Sequence, residues 1–386
     1  MLFRLIAVRR HKNIVFCDSF NEKYEKIQIA IPIEIFNKHN LKIGSVIFAN
    51  FKIVKNKFDN DLYLIENIQE VFNHDKNISF KSINNNSMSM NHYSFVSALN
   101  GGINLKYWEM KQRLLEEIRK FLIGKCFIEV NTSILMDNRG TSTVNPMQVN
   151  SKYNGIKYLK ITHELELKKL CYLTLKSLFE IGYVTRDVYS TTKSANQYLT
   201  FELVAPTQNS LSAEELYLYV YEIAIELAAI YNISYSDLFK EIKTIDVLKE
   251  YLNHHKVFDK IEFIDFYKKL LDEEKNIIFL NAPIDTPLAK ESEYGIPLET
   301  KWAIGQRGIG HGYCDQNQVS IIENLFKIQQ EKLKEQGIEA TIDKDYLMVL
   351  MYAGINTKSL NIGIDRLLYK FFNLEHEEKA IRILGI

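Results

Sequence analysis

Hydrophobic and polar residues alternate over the first part of the chain and then switch to a helical period. Leu5-Ile6-Ala7-Val8 and Asn13-Ile14-Val15-Phe16-Cys17 flank a basic turn at Arg9, Arg10, His11 and Lys12. Ile27-Gln28-Ile29-Ala30-Ile31 and Ser45-Val46-Ile47-Phe48-Ala49-Asn50-Phe51 alternate, and Leu62-Tyr63-Leu64-Ile65 follows a polar turn at Asn56 to Asp61. Short β-rich segments separated by polar turns predict a small barrel over residues 1–75, with the OB type as first candidate. A helix-like stretch, Ile33 to Lys38, falls between its third and fourth strands.

Residues 76–103 read as a linker, because Asn84-Asn85-Asn86-Ser87-Met88-Ser89-Met90-Asn91 is polar and unpatterned and Asn100-Gly101-Gly102 closes the segment. From Leu105 to Leu122 the period is helical, with Trp108, Leu114, Leu115, Ile118, Phe121 and Leu122 on one side. A strand is predicted at Cys126 to Val130, and long helices at Ser212 to Tyr231 and Asn317 to Gln336. Ser212 followed by Glu215 is a capping box, which fixes the start of the first of these. Residues 104–386 are therefore expected to form a second domain, with a helical insertion at about 232–285.

Composition narrows the function classes. The 48 Lys and Arg balance the 48 Asp and Glu, so the net charge is zero and any RNA contact must be local. A hydrophobic content of 46% excludes a disordered chain. Cys17, Cys126, Cys171 and Cys314 lie far apart with no zinc-type spacing, which reads as reduced thiols in a cytoplasmic protein. Arg4 interrupts the first apolar stretch, so no signal peptide is expected, and no apolar run is long enough to span a membrane.

Four segments carry the chemistry. The first runs from Trp108 to Leu135 and ends Phe127-Ile128-Glu129-Val130-Asn131-Thr132-Ser133-Ile134-Leu135. The second is Leu178-Phe179-Glu180-Ile181-Gly182-Tyr183-Val184-Thr185-Arg186-Asp187, followed by the strand Leu199 to Ala205. The third is Arg307-Gly308-Ile309-Gly310-His311-Gly312-Tyr313-Cys314-Asp315, and the fourth Leu360-Asn361-Ile362-Gly363-Ile364-Asp365-Arg366-Leu367. In this order they resemble the three signature motifs of class II aminoacyl-tRNA synthetases, most closely the lysyl-tRNA synthetases. Tyr158 to Leu165 is similar to that family's amino-acid-binding strand and turn, and Pro287-Leu288-Ala289-Lys290 to the segment ahead of its third block. The resemblance implies an α+β fold: an OB-type barrel, then an antiparallel-sheet catalytic domain flanked by helices.

It also implies ATP and an amino acid as substrates, magnesium as a cofactor, a homodimer, and tRNA or another acceptor as partner. Joining a carboxylate to ATP brings two anions together, so cationic groups must neutralise the developing charge. By resemblance Arg186 bridges carboxylate and α-phosphate, and Arg366 packs on adenine and meets the γ-phosphate. Asp315 falls on a metal-binding position, Glu164 on the position that binds the α-ammonium, and His311 and Gly312 lie beside the amino acid. Phe201 is the expected ring on the other adenine face, with Tyr198 the alternative. With Phe201 stacking, the carboxylate and tyrosine that hold a lysine ammonium fall on Ala205 and Thr207; with Tyr198 they fall on Glu202 and Val204.

Departures from the family mark a diverged paralogue. Ser133 stands for a proline, Val188 for a glutamate, and Gly308 for a metal-ligand glutamate. Two expectations follow. One is a ligase forming an aminoacyl-adenylate; the other is a non-catalytic RNA-binding or regulatory protein that keeps the fold. For the barrel, Phe16, Phe48, Phe51 and Tyr63 are candidate stacking rings, and Arg9, Arg10 and Lys12 candidate phosphate contacts.

Overall fold

The computed structural model describes residues 1–23, 25–73, 105–137, 139, 142, 144–188, 195–272 and 275–373. The chain divides into two compact units, Met1–Glu109 and Met110–Gly385. The expected linker lies outside the described residues.

The first unit is a closed five-stranded barrel in the order β1-β2-β3-β5-β4. Its strands are β1 (Leu2–His11), β2 (Ile14–Asn21), β3 (Lys26–Pro32), β4 (Val46–Lys55) and β5 (Asp61–Phe72), with helix α1 (Ile33–Lys38) between β3 and β4. Alternation decides which residues turn inward. Phe3, Leu5, Val15, Cys17, Ile29, Ile31, Ile47, Ala49 and Ile65 form a buried core, and Phe36 from α1 joins it. The basic turn is shorter than its sequence suggests, because β1 continues through Arg9, Arg10 and His11 and only Lys12 and Asn13 turn. Arg9 pairs with Asp18 at 2.6 Å and Arg10 lies over the Phe36 ring, so both are engaged within the barrel.

The second unit is built on an eight-stranded sheet in the order β12-β13-β14-β15-β16-β11-β10-β6. Its central strands are β10 (Leu178–Thr185), β11 (Gln197–Pro206), β14 (Leu298–Ile304), β15 (Arg307–Cys314) and β16 (Thr357–Gly363). Beyond them lie β6 (Ile128–Glu129), β12 (Lys243–Asp246) and β13 (Asn276–Pro283). All pairings are antiparallel except the two outermost, β10 with β6 and β12 with β13. A smaller three-stranded sheet joins β7 (Leu135–Met136), β9 (Gly155–Leu159) and β8 (Gln148–Ser151). The segment expected as a helical insertion contains α5 (Val247–His254) and α6 (Lys260–Leu271), and it also contributes β12 and β13 to the main sheet.

Helices cover both faces. On α2 (Leu105–Gly124), Met110, Leu114, Ile118 and Leu122 recur every fourth residue and are fully buried. Half of the capping box forms: Ser212 Oγ accepts from the Glu215 N–H at 3.0 Å and starts α4 (Ala213–Ile230), while the Glu215 carboxylate pairs with Lys125 at 2.6 Å. The apolar face of the sheet is a cross-strand row, Ile181, Phe201, Ile362, Gly310, Trp302 and Ile278, in register over six strands. Tyr217 of α4 packs on Trp302 with ring centroids 5.9 Å apart. The opposite face is partly covered by α3 (Glu164–Thr174), under which Leu167, Cys171, Leu178 and Val204 cluster. The remaining helices are α7 (Val319–Glu335), α8 (Lys344–Tyr352) and α9 (Ile364–Phe371). Among the described residues no helix is long and apolar enough to cross a membrane, and the four cysteines are free.

Candidate functional site

One residue along from the apolar row, the same five central strands carry a polar row. Glu180, Glu202, Asn361, His311 and Lys301 face one another in register on β10, β11, β16, β15 and β14. Side chains alternate across a strand, so a sheet with one face packed on α4 must present the other set to the opposite side. There a cavity of about 1290 Å³ opens, lined among others by Glu164, Arg186, Tyr198, Glu202, His311, Asn361 and Arg366.

Each of these is positioned by its neighbours. Arg186 follows the end of β10, and its guanidinium carbon lies 5.0 Å from the centre of the Tyr198 ring, a cation–π distance. Arg366 sits in the first turn of α9 and donates from Nη1 to the Gly308 carbonyl at 3.1 Å. That turn is pinned by Asp365, which is 1% exposed and accepts from the Leu199 N–H at 2.7 Å and Lys111 Nζ at 2.8 Å. His311 turns its Nδ1 to Glu299 Oε2 at 2.7 Å, while its backbone N–H donates to Asn361 Oδ1 at 3.1 Å.

The carboxylates differ in what they have left to offer. Glu202 accepts from Thr162 Oγ1 at 2.7 Å and the His163 N–H at 2.9 Å, both on Oε2. Burial raises its pKa, against the pull of those donors, and the residue lines the cavity. Glu164, at the start of α3, takes a hydrogen bond from the Tyr313 hydroxyl at 2.6 Å and pairs with Lys168 at 2.7 Å. Glu180 is paired with Lys160 at 2.7 Å and accepts from Thr132 Oγ1 at 2.7 Å. Burial would raise its pKa, but the hydrogen bonds from His163, Lys160 and Thr132 outweigh burial and bring it down to about 2.

Four expected site residues are not brought to the cavity. Phe201 belongs to the buried apolar row and packs against Phe179 with centroids 6.1 Å apart, so it is a core residue and not a stacking ring. Ala205, on the same face, is also fully buried. Gly312 faces α4, where an added Cβ would lie 2.8 Å from the Ala213 Cβ. Asp315 is 1% exposed; it pairs with Lys168 at 3.0 Å and accepts from Thr357 Oγ1 at 2.6 Å and Ser359 Oγ at 2.8 Å. Lys168 is itself fully buried. Burial opposes its charge, but the fields of Asp315 and Glu164 outweigh that and hold its pKa well above the lysine value. A carboxylate with its oxygens filled by an ammonium and two hydroxyls has no coordination to give a divalent ion.

Sequence reading gave no individual role to Lys160, Thr162 and Asn361, which line the cavity, or to the buried Glu180 and Lys168. A signal existed for Glu180 and Asn361, since each is a polar residue between two large apolar neighbours. In the barrel, Phe51 and Tyr63 pack at the core with centroids 5.2 Å apart, and of the four candidate rings Phe48 is the exposed one, at 38%.

Residues 91–382 match the family model described as tRNA synthetases class II (D, K and N). The chain is 26% identical over 302 residues to a lysine–tRNA ligase of Buchnera aphidicola, covering 68% of this chain and 60% of that protein. A lysine–tRNA ligase of Saccharolobus solfataricus is 28% identical over 302 residues, covering 68% and 61%. One from Sulfolobus acidocaldarius is 25% identical over 422 aligned positions, covering 96% and 83%. The chain thus spans about three fifths of the first two relatives.

Proposed function

The chain belongs to the class II tRNA synthetases of the D, K and N group, and from that premise we propose that it activates a basic amino acid of the lysine class with ATP. In this reaction a carboxylate oxygen of the amino acid attacks the α-phosphorus, the bond to the bridging oxygen breaks, and pyrophosphate leaves with that electron pair. The product is an aminoacyl-adenylate, whose acyl group passes to tRNA or another nucleophile. Nothing covalent is asked of the protein, so catalysis rests on positioning and charge.

One observation carries the reading. Two guanidinium groups, Arg186 and Arg366, and two carboxylates, Glu164 and Glu202, line one cavity. Arg186 presents a planar fork that suits a carboxylate and an α-phosphate together. Tyr198, beside Arg186, supplies the aromatic face for adenine, with Arg366 for the other face. Glu164 and Glu202 are the acceptors for the two ammonium groups of a basic amino acid. Burying an ammonium without a partner costs several kcal/mol, which is why Glu202 favours a basic side chain even though Val204 stands where the family has a tyrosine. The lysine ligases among its relatives are consistent with that choice.

The residues present do not fit a magnesium ion held by the protein. Gly308 lacks the carboxylate of one expected ligand, and the Asp315 carboxylate is filled. Every step above is therefore assigned to side chains of the chain. ATP–pyrophosphate exchange tested over the common amino acids and basic analogues is expected to show turnover with lysine or a close basic relative. Exchange confined to neutral or acidic amino acids would remove the role given to Glu202, and no exchange with any would remove the activation reading.

A further inference from the structure

A further guanidinium lines the cavity, and its charge is not matched by a carboxylate. Arg139 is 8% exposed and lies on the cavity wall with Ser142, Val144, Lys160 and Arg186. Its hydrogen bonds go to neutral groups: Nη1 donates to the Ser142 carbonyl at 3.3 Å and Nη2 to Asn145 Oδ1 at 2.6 Å. Among the described residues no carboxylate forms an ion pair with it. Burial pulls its pKa below the ordinary arginine value, against the opposing field of Tyr158, yet a guanidinium stays protonated at neutral pH. Lys160 on the same wall differs, because its ammonium is paired with Glu180 at 2.7 Å. A cation taken from water without a counter-charge is costly, so Arg139 is built to receive an anion from outside the chain.

Arg139 is also coupled to Arg186. Asn145, which takes the Nη2 hydrogen bond, accepts through its carbonyl from the Asp187 N–H at 2.8 Å, and Asp187 follows Arg186 in the chain. Arg186 Nε is buried without a hydrogen-bond partner among the described residues. Two guanidiniums with donors to spare thus stand on linked segments of one cavity. Resting on the reading of this cavity as an adenylate-forming site, we propose that Arg139 binds the nucleotide's α-phosphate beside Arg186. Of the two anions that meet there, the amino acid's carboxylate loses its charge on becoming the mixed anhydride. The α-phosphate keeps a charge in ATP, in the adenylate and in AMP, so it is the lasting counter-ion for a buried guanidinium.

Calorimetric titration of the full chain with AMP and with adenosine tests this, since the two differ only by that phosphate. Wild type is expected to bind AMP at least about tenfold more tightly than adenosine. Arg139→Gln keeps a donor for Asn145 but no charge, and is expected to weaken AMP about tenfold and leave adenosine within about twofold. Arg139→Lys is expected to keep most of the preference for AMP. A residue that only fastens its loop would shift AMP and adenosine equally when changed to Gln. That result, or unchanged AMP binding in Arg139→Gln, would overturn the inference and leave the nucleotide reading standing. Equal affinities of wild type for AMP and adenosine would overturn it as well, and that comparison needs no variant to fold. Failure of wild type to bind ATP, AMP or adenosine would overturn both readings together.

Discussion

Changing Tyr198 and Phe201 to alanine in parallel separates ligand stacking from core packing. The two lie on β11 but face opposite sides of the sheet, Tyr198 lining the cavity and Phe201 fully buried. Phe201→Ala is expected to cost about 3–5 kcal/mol of unfolding free energy, the usual range for a cavity left by a buried ring. Its folded fraction should bind ATP as before. Tyr198→Ala should leave stability within about 0.5 kcal/mol and weaken ATP roughly tenfold. Urea titrations beside nucleotide titrations read both, and the reverse pattern would return Phe201 to the site. For the amino acid, Glu202→Gln removes the charge that meets an ammonium, so KM for lysine should rise about a hundredfold with ATP affinity unchanged. Burial raises the Glu202 pKa, so protonation begins above the ordinary carboxylate range. Lysine affinity should therefore fall as pH falls toward that raised pKa, and the Gln variant should lack this dependence. An identical pH profile for both proteins would sink the assignment.

At the scale of elements, alternation and period carried most of the fold. The barrel's strands, the helix between the third and fourth, and the capped start of α4 all follow from local pattern. Phase along β11 did not. Leu199, Phe201 and Leu203 are apolar on one face, but Val204 on the other face is apolar too, because it lies under α3. The strand therefore reads as buried on both sides, and which ring reaches the ligand is invisible without its neighbours. The same holds for Asp315, whose partner Lys168 comes from a distant helix, so nothing near it in sequence announces that its charge is spent. The buried pair Lys160–Glu180 gives this layer a pH dependence. With its pKa held down to about 2, below the ordinary glutamate value of 4.5, Glu180 stabilises the fold fully above pH 4.5 and loses that contribution progressively as pH falls toward 2. Glu180→Gln should be less stable at neutral pH by about 3–5 kcal/mol, because Lys160 is left buried without its partner. It should also show a flatter acid limb. Unfolding midpoints across that window, equally steep in both proteins, would show that the pair does not set the limb.

For the whole molecule, the question is which apolar surface a second copy would cover. The sequence offered the α2 face, but Leu114 and Ile118 are spent inside the unit, and Phe121 is stacked on Tyr219 at 4.0 Å. What remains exposed lies just beyond: Ile123, Ile128, Ile134 and Leu135, at 61%, 49%, 59% and 46% exposure. Four large aliphatic side chains stand exposed within a short stretch of chain, all in the first of the family's motif segments, and water disfavours each of them. Removing most of their area from water contributes on the order of 1 kcal/mol each, and two-fold symmetry doubles the set. That sum suits association at micromolar concentration, with the area elsewhere in the contact making up the cost of immobilising two bodies. We therefore expect sedimentation equilibrium to return twice the 45.1 kDa chain mass. Ile134→Glu combined with Leu135→Glu places charges in the contact and should return the single-chain mass, with the far-ultraviolet spectrum unchanged because both side chains are exposed. A wild-type protein that sediments as one chain would refute the dimer. A dimer unaffected by the paired substitution would move the interface to another surface.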